Sequence, residues 1–233
     1  MSVNPKENWL EKPLRDPAFQ ELERLLRKNL RQPVNIIGPT DTQKAWLAMT
    51  LAESTGRRPC ILVPDELRAR SLAADLRALT PQPVLIFRPR ELNLTDAEAA
   101  SREGEQQRTA VIGRLLANDY GALIITAAAA VQKLPPNAVF RNFLISLKTG
   151  STVDPETLCQ KLLNAGYERM RLADGPGQFA RRGDIIDIVP SAAEDRQEAQ
   201  GIRLSFFDQE LDAIKRFDPQ SQRSSEMLAE TVV

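Results

Sequence analysis

CILVPDELRARSLAADLRALTPQPVLIF, residues 60–87, contains two continuously apolar runs, Cys60–Val63 and Val84–Phe87, separated by a helical pattern over Glu66–Leu79. Short apolar runs without alternation read as strands covered on both faces, and a helix between them is the crossover that a parallel pair requires. The same alternation extends in both directions. Val34–Ile37 reads as a strand and Gln43–Thr55 as a helix, followed after residue 87 by a long helix over Glu98–Ala117 and a strand over Leu123–Thr126. These are βαβ units, and they predict an α/β domain with a parallel sheet. Upstream, Asp16-Pro17 opens a helix with a capping acid and a first-turn proline, and Phe19, Leu22, Leu25, Leu26 and Leu30 follow at helical spacing. Residues 1–15 are polar and irregular, with Trp9 as a lone anchor.

The pattern changes after Pro135-Pro136. Phe143–Leu147 reads as a strand, and Asp154-Pro155-Glu156 opens a helix with Leu158, Leu162 and Leu163 on one face and Gly166 at its end. Strand runs at Ile185–Val189, Ile202–Phe207 and Leu211–Phe217 follow without helices between them, joined by a polar loop over Ser191–Gly201 and a hairpin turn at Asp208-Gln209. This predicts a small α+β domain with antiparallel strands.

Composition narrows the function classes. The 233 residues include 31 basic and 31 acidic side chains, a formal charge of +0 that argues against a protein devoted to gripping phosphate backbones. There is no histidine, and the 2 cysteines, Cys60 and Cys159, lie far apart in apolar contexts as buried free thiols of a reducing compartment. A zinc site or a histidine-based nucleophilic triad cannot be assembled from this set. No cofactor or metal is expected. The absence of a secretory leader and of a long apolar stretch predicts a cytoplasmic protein.

Gly38-Pro39-Thr40-Asp41-Thr42-Gln43-Lys44-Ala45 occupies the strand-to-helix position of a phosphate-binding loop, whose pattern is G-x-x-x-x-G-K-[ST]. Gly38 and Lys44 fit. Gln43 replaces the second glycine, Ala45 replaces the magnesium-binding hydroxyl, Asp41 puts a negative charge in an anion cradle, and Pro39 removes an N–H donor. The expectation is a degenerate, inactive loop, with Gly38 serving the turn and Lys44 solvated. Arg88–Gly104 contains no aromatic residue on which a nucleic-acid base could stack, and Arg88 and Arg90 flank Pro89 as candidate phosphate contacts or as ordinary solvated side chains.

Along Ile202–Phe207 the period of two puts Ile202, Leu204 and Phe206 on one face and Arg203, Ser205 and Phe207 on the other. The first set is a core face. The second combines a large ring with a guanidinium, which suits either a docking patch or a second core layer.

The ordered string Phe179-Ala-Arg-Arg-Gly-Asp-Ile-Ile-Asp-Ile-Val-Pro190, with Arg203-Leu-Ser-Phe-Phe-Asp208 and Phe217-Asp-Pro-Gln-Ser-Gln-Arg-Ser224, resembles the second domain of the UvrB-homology module. That module occurs in the repair helicase UvrB and at the N-terminus of the bacterial transcription-repair coupling factor, Mfd. The resemblance is weaker over the rest of the chain. It implies a parallel-sheet, P-loop-like α/β domain over 1–139, a small α+β domain over 140–218 that interacts with UvrA, and the start of a return to the first domain over 219–233. By position, Arg182, Arg203 and Phe207 match the family's UvrA-contacting residues. Arg181, Asp184 and Arg223 are expected to be surface or framework. The implied role is non-catalytic recruitment of UvrA in transcription-coupled nucleotide excision repair. RNA polymerase and DNA are engaged only through other parts of a full coupling factor, in which the UvrA-binding face is expected to be masked. The alternatives are a fragment of a nucleotide-dependent UvrB-type helicase working through Lys44, and a DNA-binding scaffold.

Overall fold

The computed structural model describes residues 16–28, 33–90, 98–141, 144–191 and 200–233, without the side chains of 98–103. Trp9, Phe143 and most of the expected loop after Ser191 lie outside these residues, as do 91–97 of the Arg88–Gly104 stretch. By internal contacts the chain divides into two units, residues 1–89 with 118–132 and residues 90–117 with 133–233.

In the first unit, α1 (Pro17–Arg27) is capped by Asp16, whose carboxylate accepts from the backbone N–H of Ala18 at 2.7 Å and Phe19 at 3.3 Å. Helix α2 (Asp41–Thr55) ends at Gly56, which takes the left-handed conformation (φ +68°) that terminates a helix without a Cβ clash. The unit that predicted the fold class is present with the expected bounds: β1 (Cys60–Val63), α3 (Glu66–Leu79) and β2 (Val84–Phe87). The next strand of the sheet, β3 (Ala122–Thr126), lies between β1 and β2 and is parallel to both. One face of this sheet packs Val63, Val84, Ile86, Ala122 and Ile124 against Ala45 and Met49 of α2 and Ala69, Ala73 and Leu76 of α3. The short helix α5 (Ala127–Ala130) follows β3, after α4 (Glu98–Leu116) of the second unit.

Two expectations fail here. Val34–Ile37 is not a strand, and Ile37 is 86% exposed. Cys60 is likewise exposed, with Leu62 beside it, and is not a buried thiol. Among the described residues β1 is an edge strand, and the 34–37 run pairs with no strand of the sheet. An apolar run becomes a strand only when a neighbour satisfies its backbone groups.

The second unit contains α4, α6 (Asn137–Arg141), β4 (Ser146–Lys148), α7 (Pro155–Asn164) and strands β5 (Glu168–Arg169), β6 (Gln178–Arg182), β7 (Ile185–Val189), β8 (Gly201–Phe207), β9 (Glu210–Phe217), β10 (Ser224–Leu228) and β11 (Glu230–Val232). A six-stranded sheet runs β10-β9-β8-β7-β6-β5, antiparallel except for the β5–β6 pair. Its inner face buries Phe179, Ile186, Ile188, Ile202, Leu204, Phe206, Leu211 and Ile214 against Leu158, Cys159 and Leu162 of α7. Leu163, expected on that face, is exposed, and Cys159 takes its position. On the helical wheel Leu162 lies between Leu158 and Cys159, and Leu163 falls beyond Cys159, outside the buried stripe. Within residues 219–233, β10 pairs with β9, and β11 pairs with β4 in a separate two-stranded ladder.

No helix among the described residues is long and apolar enough to cross a membrane.

Candidate functional site

The outer face of the six-stranded sheet is half covered. At the Gly201 end, Ala173, Ala180, Val189 and Phe217 form a small second core. The Phe217 ring lies directly over Gly201, where a Cβ would come within 2.1 Å of it. Among the described residues of this unit the opposite end has no such cover. There, the turn at Gly183-Asp184 joins β6 to β7, and the turn at Asp208-Gln209 joins β8 to β9. Gly183 (φ +59°) and Asp208 (φ +55°) take the left-handed conformation that tight hairpins demand. The two turns sit side by side, because the Phe206 N–H donates to the Asp184 carbonyl at 2.9 Å.

At the middle of this face stands Asp187 of β7, fully buried. It is flanked by Ala180 of β6 and Arg203 of β8 in the ladder register. Arg203 donates to both carboxylate oxygens, Nε at 2.6 Å and Nη2 at 3.0 Å. Arg182 donates through Nη2 at 2.5 Å. Two guanidinium groups thus neutralise one buried carboxylate, which would be costly to bury alone. Arg203 is further anchored by Gln222, whose backbone carbonyl accepts from Nη1 at 3.1 Å and whose Oε1 accepts from Nη2 at 3.4 Å, and by the Ser224 hydroxyl at 3.1 Å. Its guanidinium carbon lies 4.8 Å from the centre of the Phe217 ring. The hydrogen bonds and charge of Asp187 push the pKa of Arg203 up.

Phe207 shares this face and is 78% exposed, so the ring does not enter a second core. The expected triad is therefore brought to one surface, with unequal roles: Arg182 and Arg203 meet at Asp187, and Phe207 stands free near the turns. Phe206 and Phe217 are core, and Arg181 bonds Glu156 at 2.6 Å as a framework contact. Sequence reasoning missed Asp187, although a carboxylate in the middle of Ile-Ile-Asp-Ile-Val is a signal that cations must stand beside it. It also missed two exposed apolar side chains. Ile185 pairs with Arg182 and Ser205, and Met227 pairs with Lys215, itself opposite Arg203.

In the first unit, residues 38–45 form the approach to α2. The Thr40 N–H donates to Gln43 Oε1 at 2.8 Å and the Gln43 N–H donates to Thr40 Oγ1 at 3.4 Å, a reciprocal capping box. The Lys44 ammonium bonds Asp41 at 2.9 Å, and Arg68 pairs with the other oxygen of Asp41. The hydrogen bond from Lys44, followed by the Arg68 charge, holds the Asp41 carboxyl below the usual carboxylate range. Ala45 is fully buried, and Gly38 has φ +102° with open space where a Cβ would be. Arg88 and Arg90 pair with Glu66 at 3.8 Å and Glu105 at 2.7 Å. Among the described residues no cluster of three or more His, Cys, Asp or Glu is arranged to hold a metal ion.

Residues 145–233 match the family model of the UvrB interaction domain. The chain is 29% identical over 211 residues to the transcription-repair-coupling factor of Bacillus subtilis, covering 90% of this chain and 17% of that protein. With the corresponding factor of Myxococcus xanthus it shares 32% identity over 179 residues, 73% of this chain and 14% of that one. The UvrABC system protein B of Neisseria meningitidis is 26% identical over 200 residues, 80% of this chain and 29% of the relative. The chain thus spans less than a third of the length of these relatives. The segment that carries Arg182, Asp187, Arg203 and Phe207 lies within the match to the UvrB interaction domain model, in a chain similar over most of its length to transcription-repair-coupling factors and to UvrB.

Proposed function

We propose that this chain is the UvrB-like module of a transcription-repair coupling factor, and that its second unit recruits UvrA to sites of nucleotide excision repair. The observation that carries this reading is Phe207, a large ring left in water on a strand whose other apolar side chains are packed away. An exposed aromatic on one sheet face with Arg182, which keeps donors to spare, is the composition of an interface hot spot. The family description of this segment as an interaction domain and the similarity to UvrB support the choice of partner.

The first unit serves as a scaffold and binds no nucleotide. Three features favour this. The ammonium of Lys44 is engaged by Asp41. The α2 N-terminus, where a phosphate would sit, is capped by Thr40 and Gln43. Ala45 offers no hydroxyl to a metal ion. The chain therefore acts by binding and not by catalysis, and contacts with RNA polymerase and DNA are assigned to other parts of a longer protein.

Calorimetric titration of the chain with purified UvrA tests the reading. Binding that is lost in Phe207→Ala supports it; equal affinity of the two proteins rejects it. The second reading, a fragment of a nucleotide-dependent UvrB-type helicase, draws support from the similarity to UvrB and from the retained Lys44. Nucleotide binding decides between them.

A further inference from the structure

We infer that Arg203 does not touch the partner: it is a positioning residue, and the contact surface is Arg182, Ile185 and Phe207. This rests on the UvrA-binding reading and divides that surface into parts that touch and parts that support.

The donors of Arg203 are already committed. Nε and Nη2 bond Asp187, Nη1 bonds the Gln222 carbonyl and Ser224, and Nη2 also points at Gln222 Oε1. One face of the guanidinium lies against Phe217, and the side chain is only 16% exposed. A partner carboxylate could be recognised by Arg203 only after these bonds were broken. Arg182 is different. It gives one N–H to Asp187 and keeps 48% of its side chain in solvent. A planar fork held at one corner presents its remaining donors in a fixed direction, which suits a carboxylate or a backbone carbonyl on the partner.

Ile185 completes the exposed corner. It lies directly across β6–β7 from Arg182 and across β7–β8 from Ser205, two residues before Phe207 on β8. Diagonal neighbours on one sheet face are within reach of long and aromatic side chains. Ile185 is exposed and, by register, lies opposite Arg182 and diagonal to Phe207, at the end where the two hairpin turns meet. The corner is therefore apolar at its centre with a single available guanidinium beside it. Asp184, Asp208 and Glu210 stand around its rim, which disfavours a uniformly acidic partner surface and favours an apolar pocket bordered by one acceptor. On this view, substitutions of Arg203 reach the interface through Asp187, by freeing that carboxylate to pull Arg182 inward.

The test uses the full chain, titrated with UvrA by calorimetry and melted by circular dichroism. Ile185→Ala and Arg182→Ala are expected to weaken binding by about fivefold or more with little change in the melting temperature. Arg203→Lys, which keeps the charge facing Asp187, is expected to keep affinity within about threefold while melting at a lower temperature. The inference is overturned if Arg203→Lys loses as much affinity as Phe207→Ala at an unchanged melting temperature, or if Ile185→Ala binds normally while Phe207→Ala does not. If Phe207→Ala, Arg182→Ala and Ile185→Ala all bind normally, the UvrA reading falls and takes this inference with it. Arginine labelling of the unaltered chain with phenylglyoxal, read by peptide mass spectrometry, avoids any folding defect. Arg182 should be labelled in the free chain and protected by UvrA, with Arg203 unlabelled in both. Labelling of Arg203 that UvrA suppresses would also overturn the inference.

Discussion

Arg203 reaches across from β8 to hold both oxygens of the buried Asp187 on β7, at 2.6 and 3.0 Å. The pair sits beneath the exposed corner of the sheet and joins the second core to the surface above it. Replacing Asp187 with asparagine leaves Arg203 without its countercharge in a site with little water. The expected loss of stability is about 3 kcal/mol, toward the lower end for a broken buried pair because Gln222 and Ser224 still hold the guanidinium. Urea unfolding of the two proteins measures it, and a difference below about 1 kcal/mol would mean the pair is structurally idle.

Phe207 should behave in the opposite way. Its ring contributes little to the fold from a 78% exposed position, so Phe207→Ala is expected to unfold at the same urea concentration as the parent. Its affinity for UvrA should fall by about 2–4 kcal/mol, the loss of a hot-spot anchor. Matched unfolding curves and calorimetry on the same preparations test both halves of this expectation.

Gly201 lies under the Phe217 ring with no room for a methyl group. Gly201→Ala must push the ring outward, disturbing the stack on Arg203 as well as the packing against Val189 and Ala180. The expected cost is about 1–3 kcal/mol. A thermal midpoint equal to that of the parent would show that the ring moves freely.

Lys44 should be dispensable for ligand binding. Equilibrium dialysis with labelled ATP is expected to detect no binding by the parent chain and none by Lys44→Ala. Saturable binding by the parent that Lys44→Ala abolishes would revive the helicase reading.

The cap of α7 gives a pH dependence. The hydroxyl of Thr157, then its N–H, hold the Asp154 carboxyl below the ordinary carboxylate range. A folded-state pKa below the unfolded one stabilises the fold at neutral pH. That contribution fades as acid protonates the cap, below the ordinary carboxylate pKa. Asp154→Asn, which keeps a capping oxygen but cannot titrate, should therefore lose less stability than the parent between neutral and acidic pH. Parallel melting series at several pH values would detect it.

The sequence made the fold legible where the residues were self-sufficient. The β1–α3–β2 unit and strand β7 have the bounds that their apolar runs predict; β2 and β7 are buried on both sides, and β1 keeps its bounds although Cys60 and Leu62 are exposed. Val34–Ile37 has the same kind of composition and is no strand, since its neighbours decide that and not its own side chains. At the site, period two on β8 was enough to put Arg203 and Phe207 on one face. The difference between them was not legible. It depends on Gln222, Ser224 and Phe217, which arrive from β9, β10 and the turn between them, and on a carboxylate whose depth the local pattern does not reveal. Met227 was invisible for a similar reason, because β10 belongs to this sheet only through its pairing with β9.

One carboxylate on the central strand serves arginines arriving from the strands on either side. The arrangement is consequently not portable. A peptide copied from the β6–β7 hairpin would carry Arg182 with its acid but lack the second cation, and one copied from β8–β9 would carry Phe207 with an unmoored Arg203. Mimics of this corner would have to reproduce at least four strands, and inhibitors aimed at it would do better to imitate the partner.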